Sequence, residues 1–280
     1  MKLECISIKG TGNTNEDAYV ISQADQVYAV IDGVSSLVPY ENRFGQTGGA
    51  IAAELVKRKL EIMPPDAVLS DYLTFVNEKL RELMRESEID WKQKEALWGA
   101  ACAVVRVKEQ HIEYAQTGDC MIFAVYEDDT VRALTFPQVS LLEQNALACW
   151  EEGIREGLST RAELHERCRD ILIHNRYQAN ESGGYGVLNG DASCADFIEY
   201  GRINRIGLKA LVLATDGLFM PRPTGGKEPG WEETVLPIVH KGLQRYTDEL
   251  IALENNDPEC IRYARFKKSD DKTGIVVNLR

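Results

Sequence analysis

The sequence has little of what a zinc site or a disulfide framework requires. Its seven cysteines are scattered and form no Cys-x-x-Cys pair, and its four histidines show no metal-ligand spacing. An odd number of isolated cysteines is typical of small, reduced core residues. We therefore expect neither structural zinc nor disulfide bonds.

Long apolar runs and an excess of positive charge are also missing. No stretch approaches the roughly 18 consecutive apolar residues of a membrane span, and the first residues lack the apolar core of a signal peptide. The chain has 32 Lys and Arg against 44 Asp and Glu, a net charge of −12, whereas a surface that binds nucleic-acid phosphates needs clustered cations. We expect a cytoplasmic protein that binds no nucleic acid and no membrane. An acidic enzyme that recruits divalent metal fits this composition better.

Hydrophobic periodicity predicts the order of secondary-structure elements along the chain. Strands, two amphipathic helices, strands, helices and strands follow one another without the strict alternation that a parallel sheet requires. The predicted strands are 3–8, 19–22, 27–31, 101–107, 112–115, 121–126, 131–134, 196–203, 210–215, 261–266 and 274–279, and the predicted helices are 45–62, 69–88, 141–177 and 231–253, the last interrupted at Pro237. This order predicts an α+β fold in which two antiparallel β-sheets pack as a sandwich flanked by helices. Since no repeat or low-complexity linker occurs, residues 1–280 are expected to form a single domain.

Two of the predicted strands end in the same way. The apolar run 27–31 leads into Asp32-Gly33, and the run 210–215 leads into Asp216-Gly217. A carboxylate at the end of a buried strand, followed by a glycine that allows a sharp turn, projects a hard oxygen ligand from a rigid edge. Asp-Gly is also a common turn, so each pair alone is a weak signal.

Two further acidic sites lie beside predicted strands. Asp270-Asp271 precedes the last strand, and Gly118-Asp119 occupies a predicted tight hairpin. If these strand ends converge, their all-oxygen ligands suit Mg²⁺ or Mn²⁺. The alternative is that acidic turns merely keep loops solvated in a chain rich in acids.

The order of these motifs resembles the metal-dependent protein phosphatase 2C family over nearly the whole chain, from about residue 5 to 279. The motifs are Asn15-Glu16-Asp17-Ala18, Val30-Ile31-Asp32-Gly33, Thr117-Gly118-Asp119, Leu213-Ala214-Thr215-Asp216-Gly217-Leu218 and Asp270-Asp271-Lys272-Thr273. The resemblance implies a pair of antiparallel sheets flanked by helices. It also implies hydrolysis of phosphoserine and phosphothreonine in proteins by a metal-bridging water, with a phosphorylated protein, a kinase target, as substrate.

The resemblance also implies roles for individual residues. Asp17, Asp32, Asp216 and Asp270 correspond to the catalytic carboxylates of a binuclear Mg²⁺ or Mn²⁺ centre, with the Gly33 carbonyl as a further ligand. By the same resemblance, Glu16 acts through a metal-bound water and Asp119 binds a third, weaker metal ion. Asp271 stands where relatives often have Asn.

The chain departs from the family pattern at three places. Gly12 stands where many relatives have an arginine that grips the substrate phosphate, Val34-Ser35-Ser36 follows the first Asp-Gly, and Cys120-Met121 follows Asp119. These changes retain the expected metal ligands, but we expect them to lower the affinity for the substrate phosphate. They motivate the alternative hypothesis of a non-catalytic, pseudophosphatase-like binding or sensor module. The region 138–195, helical and then Gly-rich, stands where relatives carry a variable flap beside the active site.

Overall fold

The computed structural model describes residues 2–34 and 36–279, so Ser35 of the Val34-Ser35-Ser36 departure lies outside the described residues. Over these residues the strands are β1 (Lys2–Ile8), β2 (Ala18–Ser22), β3 (Val27–Val34), β4 (Gly99–Val107), β5 (His111–Thr117), β6 (Met121–Tyr126), β7 (Val131–Ala133), β8 (Glu199–Asn204), β9 (Leu208–Ala214) and β10 (Lys272–Asn278). The α-helices are α1 (Gly48–Glu61), α2 (Leu69–Glu86), α3 (Ser140–Arg155), α4 (Arg161–Tyr177), α5 (Trp231–Lys241) and α6 (Leu243–Asn255). Short 3₁₀ helices occupy Lys94–Ala96, Ala192–Phe197 and Asp216–Leu218.

The strands form two five-stranded sheets in which all neighbouring strands are antiparallel. The first sheet has the order β1-β10-β9-β6-β7 and the second has the order β2-β3-β4-β5-β8. In the first sheet the two ends of the chain pair directly, with Lys2 opposite Asn278. Because the two strands are antiparallel, the acidic motif that follows β1 and the acidic motif that precedes β10 lie at the same end of this strand pair.

Alternation along the strands builds a four-layer sandwich. In β3, Ala29 and Ile31 face a core formed with α1 and α2, whereas Tyr28 and Val30 face the other sheet. The outer face of the first sheet packs against α5 and α6 through residues such as Val235 and Tyr246. Because side chains of a strand point alternately to opposite faces, each sheet buries both of its faces. The predicted α+β sandwich flanked by helices is confirmed.

Helices α3 and α4 pack against each other and form a cluster of their own. Trp150 and Cys168 pack there with Cys260 and Ala264 of the segment that follows α6. The indole N–H of Trp150 donates to the Cys260 carbonyl at 3.0 Å. This helix pair is therefore held by the C-terminal segment.

The predicted helices differ from the observed ones in two places. The run 141–177 is two helices, because a turn at 156–160 ends α3 and Thr160 caps α4 with Glu163 in a capping box. The run 231–253 breaks at Gly242, not at Pro237, which lies inside α5. Gly242 has φ of +92°, a backbone conformation that favours glycine and ends the helix.

The predicted strand 261–266 is wrong. This segment is a loop built around the carboxylate of Asp257, which accepts hydrogen bonds from the backbone N–H groups of Ile261, Arg262 and Tyr263 at 3.0–3.1 Å. Because a side chain satisfies these donors, the segment joins neither sheet and forms only an isolated antiparallel bridge, between Tyr263 and Pro223. The predicted strand 196–203 begins only at Glu199, after a 3₁₀ helix.

Gly118 and Asp119 do not form the predicted tight hairpin. The strand before them, β5, belongs to the second sheet, and the strand after them, β6, belongs to the first. Gly118, with φ of +74°, lets the chain change sheets within a few residues. The connection therefore carries Asp119 between the sheets.

None of the described helices is both long and apolar enough to cross a bilayer.

Candidate active site

A cavity of about 430 Å³ lies between the ends of the central strands and the helix pair α3 and α4. Its lining includes four of the predicted carboxylates together with the backbone of Gly33. These carboxylates belong to Asp32, Asp119, Asp216 and Asp270. The fold thus brings together four acids that are far apart in the sequence.

Asp32 is the acid that the others surround. Burial raises its pKa well above the ordinary range, and the negative charges of Asp17, Asp216, Asp119 and Asp270 raise it further. The expected turn at Asp32-Gly33 is wrong, because β3 continues through both residues to Val34. Asp32 lies opposite Ala101 of β4, so a central strand positions its carboxylate. The five aspartates therefore form one electrostatically coupled group.

Asp17 is oriented by hydroxyl groups from the first sheet. Thr215 donates a hydrogen bond through Oγ1 to Asp17 Oδ2 at 2.9 Å, and the Asp17 backbone N–H donates to Asn15 Oδ1 at 3.0 Å. Burial raises the pKa of Asp17 well above its usual range, hydrogen bonds from Thr215 and Thr273 oppose the change, and the charges of Asp216 and Asp271 add to it. These contacts hold Asp17 in one orientation beside Asp32.

Glu16 is held by both its side chain and its backbone. The Thr47 hydroxyl donates to Glu16 Oε1, and the Glu16 carbonyl accepts from the Gly33 N–H at 3.1 Å. A Cβ at Gly33 would come within 2.5 Å of the Gly49 carbonyl oxygen and 2.6 Å of the Glu16 carbonyl oxygen. Only glycine permits this close approach, which explains the Asp-Gly pair better than a turn alone does.

Asp216 follows β9 and has an unsatisfied oxygen. Its Oδ1 is buried without a hydrogen-bond partner. Burial raises the pKa of Asp216 and the charge of Asp270 adds to this, while Lys267 and a hydrogen bond with Asp32 oppose it. A buried anionic oxygen without a partner is costly, so this atom is suited to bind a cation.

Asp119 and Glu143 extend the acidic group towards the helix pair. Burial, followed by the charge of Asp216, raises the pKa of Asp119 to about 7. Burial and the charges of Asp119, Asp216 and Asp270 raise the pKa of Glu143 to about 8. Glu143 comes from the first turn of α3, and no motif in the sequence distinguished it.

Asp270 and Lys267 form an ion pair on the other side of the cavity. Lys267 Nζ donates to Asp270 Oδ1 at 2.7 Å. Burial lowers the pKa of Lys267, but the charges of Asp270, Asp32 and Asp216 outweigh it and raise the pKa above its ordinary value. Lys267 belongs to the short basic run 265–268, and no motif in the sequence connects this run with the acidic strand ends.

Asp271 does not line the cavity and supports the loop that carries Glu16. Its Oδ2 accepts from the Glu16 N–H and its Oδ1 accepts from the Gly10 N–H, each at 2.7 Å. The Asp271 carboxylate therefore positions the backbone of this loop and is not proposed as a metal ligand.

The arrangement fits divalent metal, although no group of three or more His, Cys, Asp or Glu side chains within residues 2–34 and 36–279 is placed, as it stands, to hold an ion. The donors around the cavity are carboxylates and a backbone carbonyl, which Mg²⁺ and Mn²⁺ prefer. The unpartnered Oδ1 of Asp216 and the mutual repulsion that raises the pKa of Asp32 would both be relieved by cations.

The fold is shared with solved bacterial phosphatases, whereas a search of the curated proteins finds no significant match. The serine/threonine phosphatase Stp1 from Staphylococcus aureus is 16% identical with a TM-score of 0.59, over 100% of this chain and 95% of that chain. The phosphatase PstP/Ppp from Mycobacterium tuberculosis is 17% identical with a TM-score of 0.58, over 100% and 98%. A catalytic domain of PstP in complex with two manganese ions is 13% identical with a TM-score of 0.55, over 99% and 97%.

The family assignment comes from the sequence match. The model of the protein phosphatase 2C family matches residues 7–252, which include Glu16, Asp17, Asp32, Asp119 and Asp216. The match covers most of the chain, and the structural neighbours share its two-sheet fold. The chain therefore belongs to the protein phosphatase 2C family.

Proposed function

We propose that this protein hydrolyses phosphoserine and phosphothreonine esters in proteins with the help of two divalent cations, Mg²⁺ or Mn²⁺. The observation that carries the proposal is the coupled group of Asp17, Asp32, Asp119, Asp216 and Asp270, four of which line one cavity. Family membership supports a phosphoprotein as substrate. We also propose that residues 1–280 act as one catalytic domain.

The residues proposed to hold the cations are Asp17, Asp32, Asp216 and Asp270 with the Gly33 carbonyl. Asp119 is proposed for a third, weaker site, and Glu16 is proposed to act through water. The two manganese ions in the related PstP domain make a binuclear arrangement reasonable here. When bound, such cations lower the pKa of a bridging water to give a nucleophile and neutralise charge that develops on the phosphoryl oxygens.

The protein's own groups orient this site. Thr215 fixes Asp17 through its hydroxyl, and Thr215 in turn accepts from the Thr273 N–H at 3.0 Å, so that β9 and β10 share the hydrogen bonds that hold one carboxylate. Asp271 holds the loop of Glu16 by two backbone hydrogen bonds. Ligands fixed in this way need little reorganisation when the substrate reacts.

The helix pair is proposed to shape the substrate entrance. Val139, Leu147 and Leu172 of the region 138–195 line the cavity, as do Phe219 and Phe266 from other segments. In the proposed complex, these apolar side chains contact the substrate residues that neighbour the phosphorylated side chain. We propose that these apolar side chains select among phosphoproteins.

A second candidate function is a binding or sensor module that recognises a phosphoprotein without hydrolysing it. The observation that favours it is Gly12, which contributes no charge to the phosphate site. The four aspartates that line the cavity, Asp32, Asp119, Asp216 and Asp270, favour the enzyme.

Assays with metal and chelator distinguish the two functions. We expect the protein to hydrolyse an aryl phosphate and members of a phosphoserine and phosphothreonine peptide panel with Mn²⁺ or Mg²⁺, and to lose this activity with chelator. Full activity in chelated protein would refute the metal-dependent reaction. Saturable binding of a phosphopeptide by metal-loaded protein without any turnover would support the sensor module.

A further inference from the structure

Most of the basic side chains that line the cavity form ion pairs with carboxylates. Arg222 Nη2 lies 2.7 Å from Glu151 Oε1, and Arg265 Nη1 lies 2.7 Å from Asp257 Oδ2. Arg176, from α4, interacts with the Tyr185 hydroxyl on the helical side of the cavity. None of these three cations is directed at the aspartates proposed as metal ligands.

Lys267 differs from them in position. Its ammonium group contacts Asp270 at 2.7 Å, and its charge acts on Asp119 and Asp216 as well. Its side chain is 55% exposed, and Lys267 lines the cavity. An ammonium has three N–H donors, and Asp270 is the one hydrogen-bond partner of Nζ within the described part of the chain. The remaining donors are available to a ligand that binds over the aspartates.

The segment of Lys267 is also joined to the loop of Gly12. Thr11 donates to the Ser269 carbonyl through both its backbone N–H and its hydroxyl, each at 3.0 Å. A Cβ at Gly10 would come within 2.5 Å of the same carbonyl oxygen. A cation on the 267–271 segment and one at position 12 would therefore approach the site from adjoining loops.

We propose that Lys267 binds the phosphoryl group of the substrate and supplies the positive charge that position 12 lacks. The inference rests on the proposed function, since it concerns the phosphate that the reaction releases. A lysine ammonium is a compact charge without the bidentate fork of arginine, so it attracts the phosphoryl oxygens but orients them less strictly. Such a contact exists in both the ground state and the transition state, and it affects KM more than kcat.

The test compares Lys267→Met with Lys267→Arg and with the matched control Lys268→Met. Lys268 is the adjacent lysine and does not line the cavity. The first measurement is calorimetric titration of Mg²⁺-saturated protein with inorganic phosphate, which needs no turnover. We expect Lys267→Met to raise the Kd of phosphate, and the KM of a phosphopeptide, about tenfold, the effect of losing one charge-assisted hydrogen bond. Lys267→Arg and Lys268→Met should remain within about twofold of the wild type, since each keeps a cation at position 267.

The Mg²⁺ affinity of each variant is measured in the same series, because Lys267 also contacts a proposed metal ligand. If Lys267→Met changes only the affinity for Mg²⁺, and phosphate binds at saturating Mg²⁺ as tightly as to the wild type, Lys267 is a counter-ion of Asp270 and the inference is overturned. If the wild type hydrolyses no phosphopeptide, the proposed function fails. The phosphate titrations then still decide whether Lys267 binds the anion.

Discussion

The carboxylate of Asp271 accepts a hydrogen bond from the backbone N–H of Glu16 at 2.7 Å, although 255 positions separate the two residues. The other oxygen of Asp271 accepts from the Gly10 N–H at the same distance. The two neighbouring acids therefore have different roles. Asp270 lines the cavity, and Asp271 fixes the N-terminal loop that presents Glu16 and Asp17.

This division predicts the effect of Asp271→Asn. An amide offers one acceptor and one donor, so one of the two N–H groups would face another donor and lose its partner. We expect the free energy of unfolding to fall by about 1–3 kcal/mol, and the metal affinity to fall with it. Denaturant unfolding and metal titration measure the two effects. Asp248→Asn is a suitable control, since its carboxylate is on the surface and contacts Gln244. If Asp271→Asn has the same unfolding free energy and the same metal affinity as the wild type, these hydrogen bonds do not position the loop.

The proposed metal ligands predict a graded response to loss of charge. Asp32→Asn and Asp216→Asn nearly preserve side-chain volume but remove an anionic oxygen, so turnover should fall by at least about 10²-fold. Asp119→Asn should affect the binding of the first two ions less, because Asp119 is proposed to bind a third, weaker ion. Steady-state kinetics and metal titration of purified, folded variants check both statements. Unchanged kinetics and metal binding in Asp32→Asn would show that Asp32 has only a structural role in β3.

Metal should stabilise the fold as well as support activity. The half-buried carboxylates of Asp17, Asp32 and Asp216 repel one another, and an ion that binds only the folded state stabilises it by about 2.7 kcal/mol at 100 times its Kd. Differential scanning calorimetry should show a Tm that rises with Mn²⁺ concentration and returns with chelator. Asp32→Asn should show a smaller rise. A wild-type Tm that does not respond to Mn²⁺ or Mg²⁺ would contradict a metal site in this cavity.

An arginine at position 12 should strengthen the grip on phosphate. The backbone of Gly12 is outside the left-handed region, and a Cβ there would meet only the Thr14 carbonyl oxygen, at 3.4 Å. Gly12→Arg should therefore fold normally and lower KM for phosphopeptides more than it changes kcat. In the Lys267→Met background it should recover part of the lost affinity for inorganic phosphate. Gly12→Ala is the control for the backbone change. Equal KM values for Gly12→Arg and Gly12→Ala would place position 12 out of reach of the phosphate.

Asp257 makes the stability of the C-terminal segment pH-dependent. Burial raises its pKa, but backbone hydrogen bonds and the Arg265 side chain outweigh burial, so that the pKa lies below its ordinary value. A lowered folded-state pKa contributes stability that is present above the unfolded pKa and lost as the pH falls through the folded pKa. Asp257→Asn leaves Arg265 without its carboxylate and should cost about 3–5 kcal/mol at neutral pH.

The pH series tests the origin of this cost. The difference in unfolding free energy between wild type and Asp257→Asn should shrink as the pH falls below about 4, because the unfolded chain binds a proton at Asp257 there and the folded protein does so only at lower pH. A difference that stays constant down to pH values of about 2 would assign the effect to packing, not to charge.

Much of the architecture could be predicted from local sequence. The apolar runs before Asp32 and Asp216 identified strands because a fully buried strand must be apolar along its length, and the order of elements then predicted two antiparallel sheets. The acidic residues were connected through the order of motifs that resembles the protein phosphatase 2C family, and the match over residues 7–252 confirms the family, although Asp270 lies beyond the matched range. Their roles as metal ligands remain proposals.

Tertiary structure alone decided which strands pair and which charges meet. Strands of either sheet have the same period of two, so the passage of the chain from one sheet to the other at Gly118-Asp119 left no local signal. The loop 261–266 was apolar enough to read as a strand, yet the carboxylate of Asp257 satisfies its N–H groups. Lys267 and Glu143 meet the aspartates only because β10 and α3 pack around one cavity. Electrostatic interaction depends on distance in space, and that distance is set by long-range packing that no local window of sequence contains.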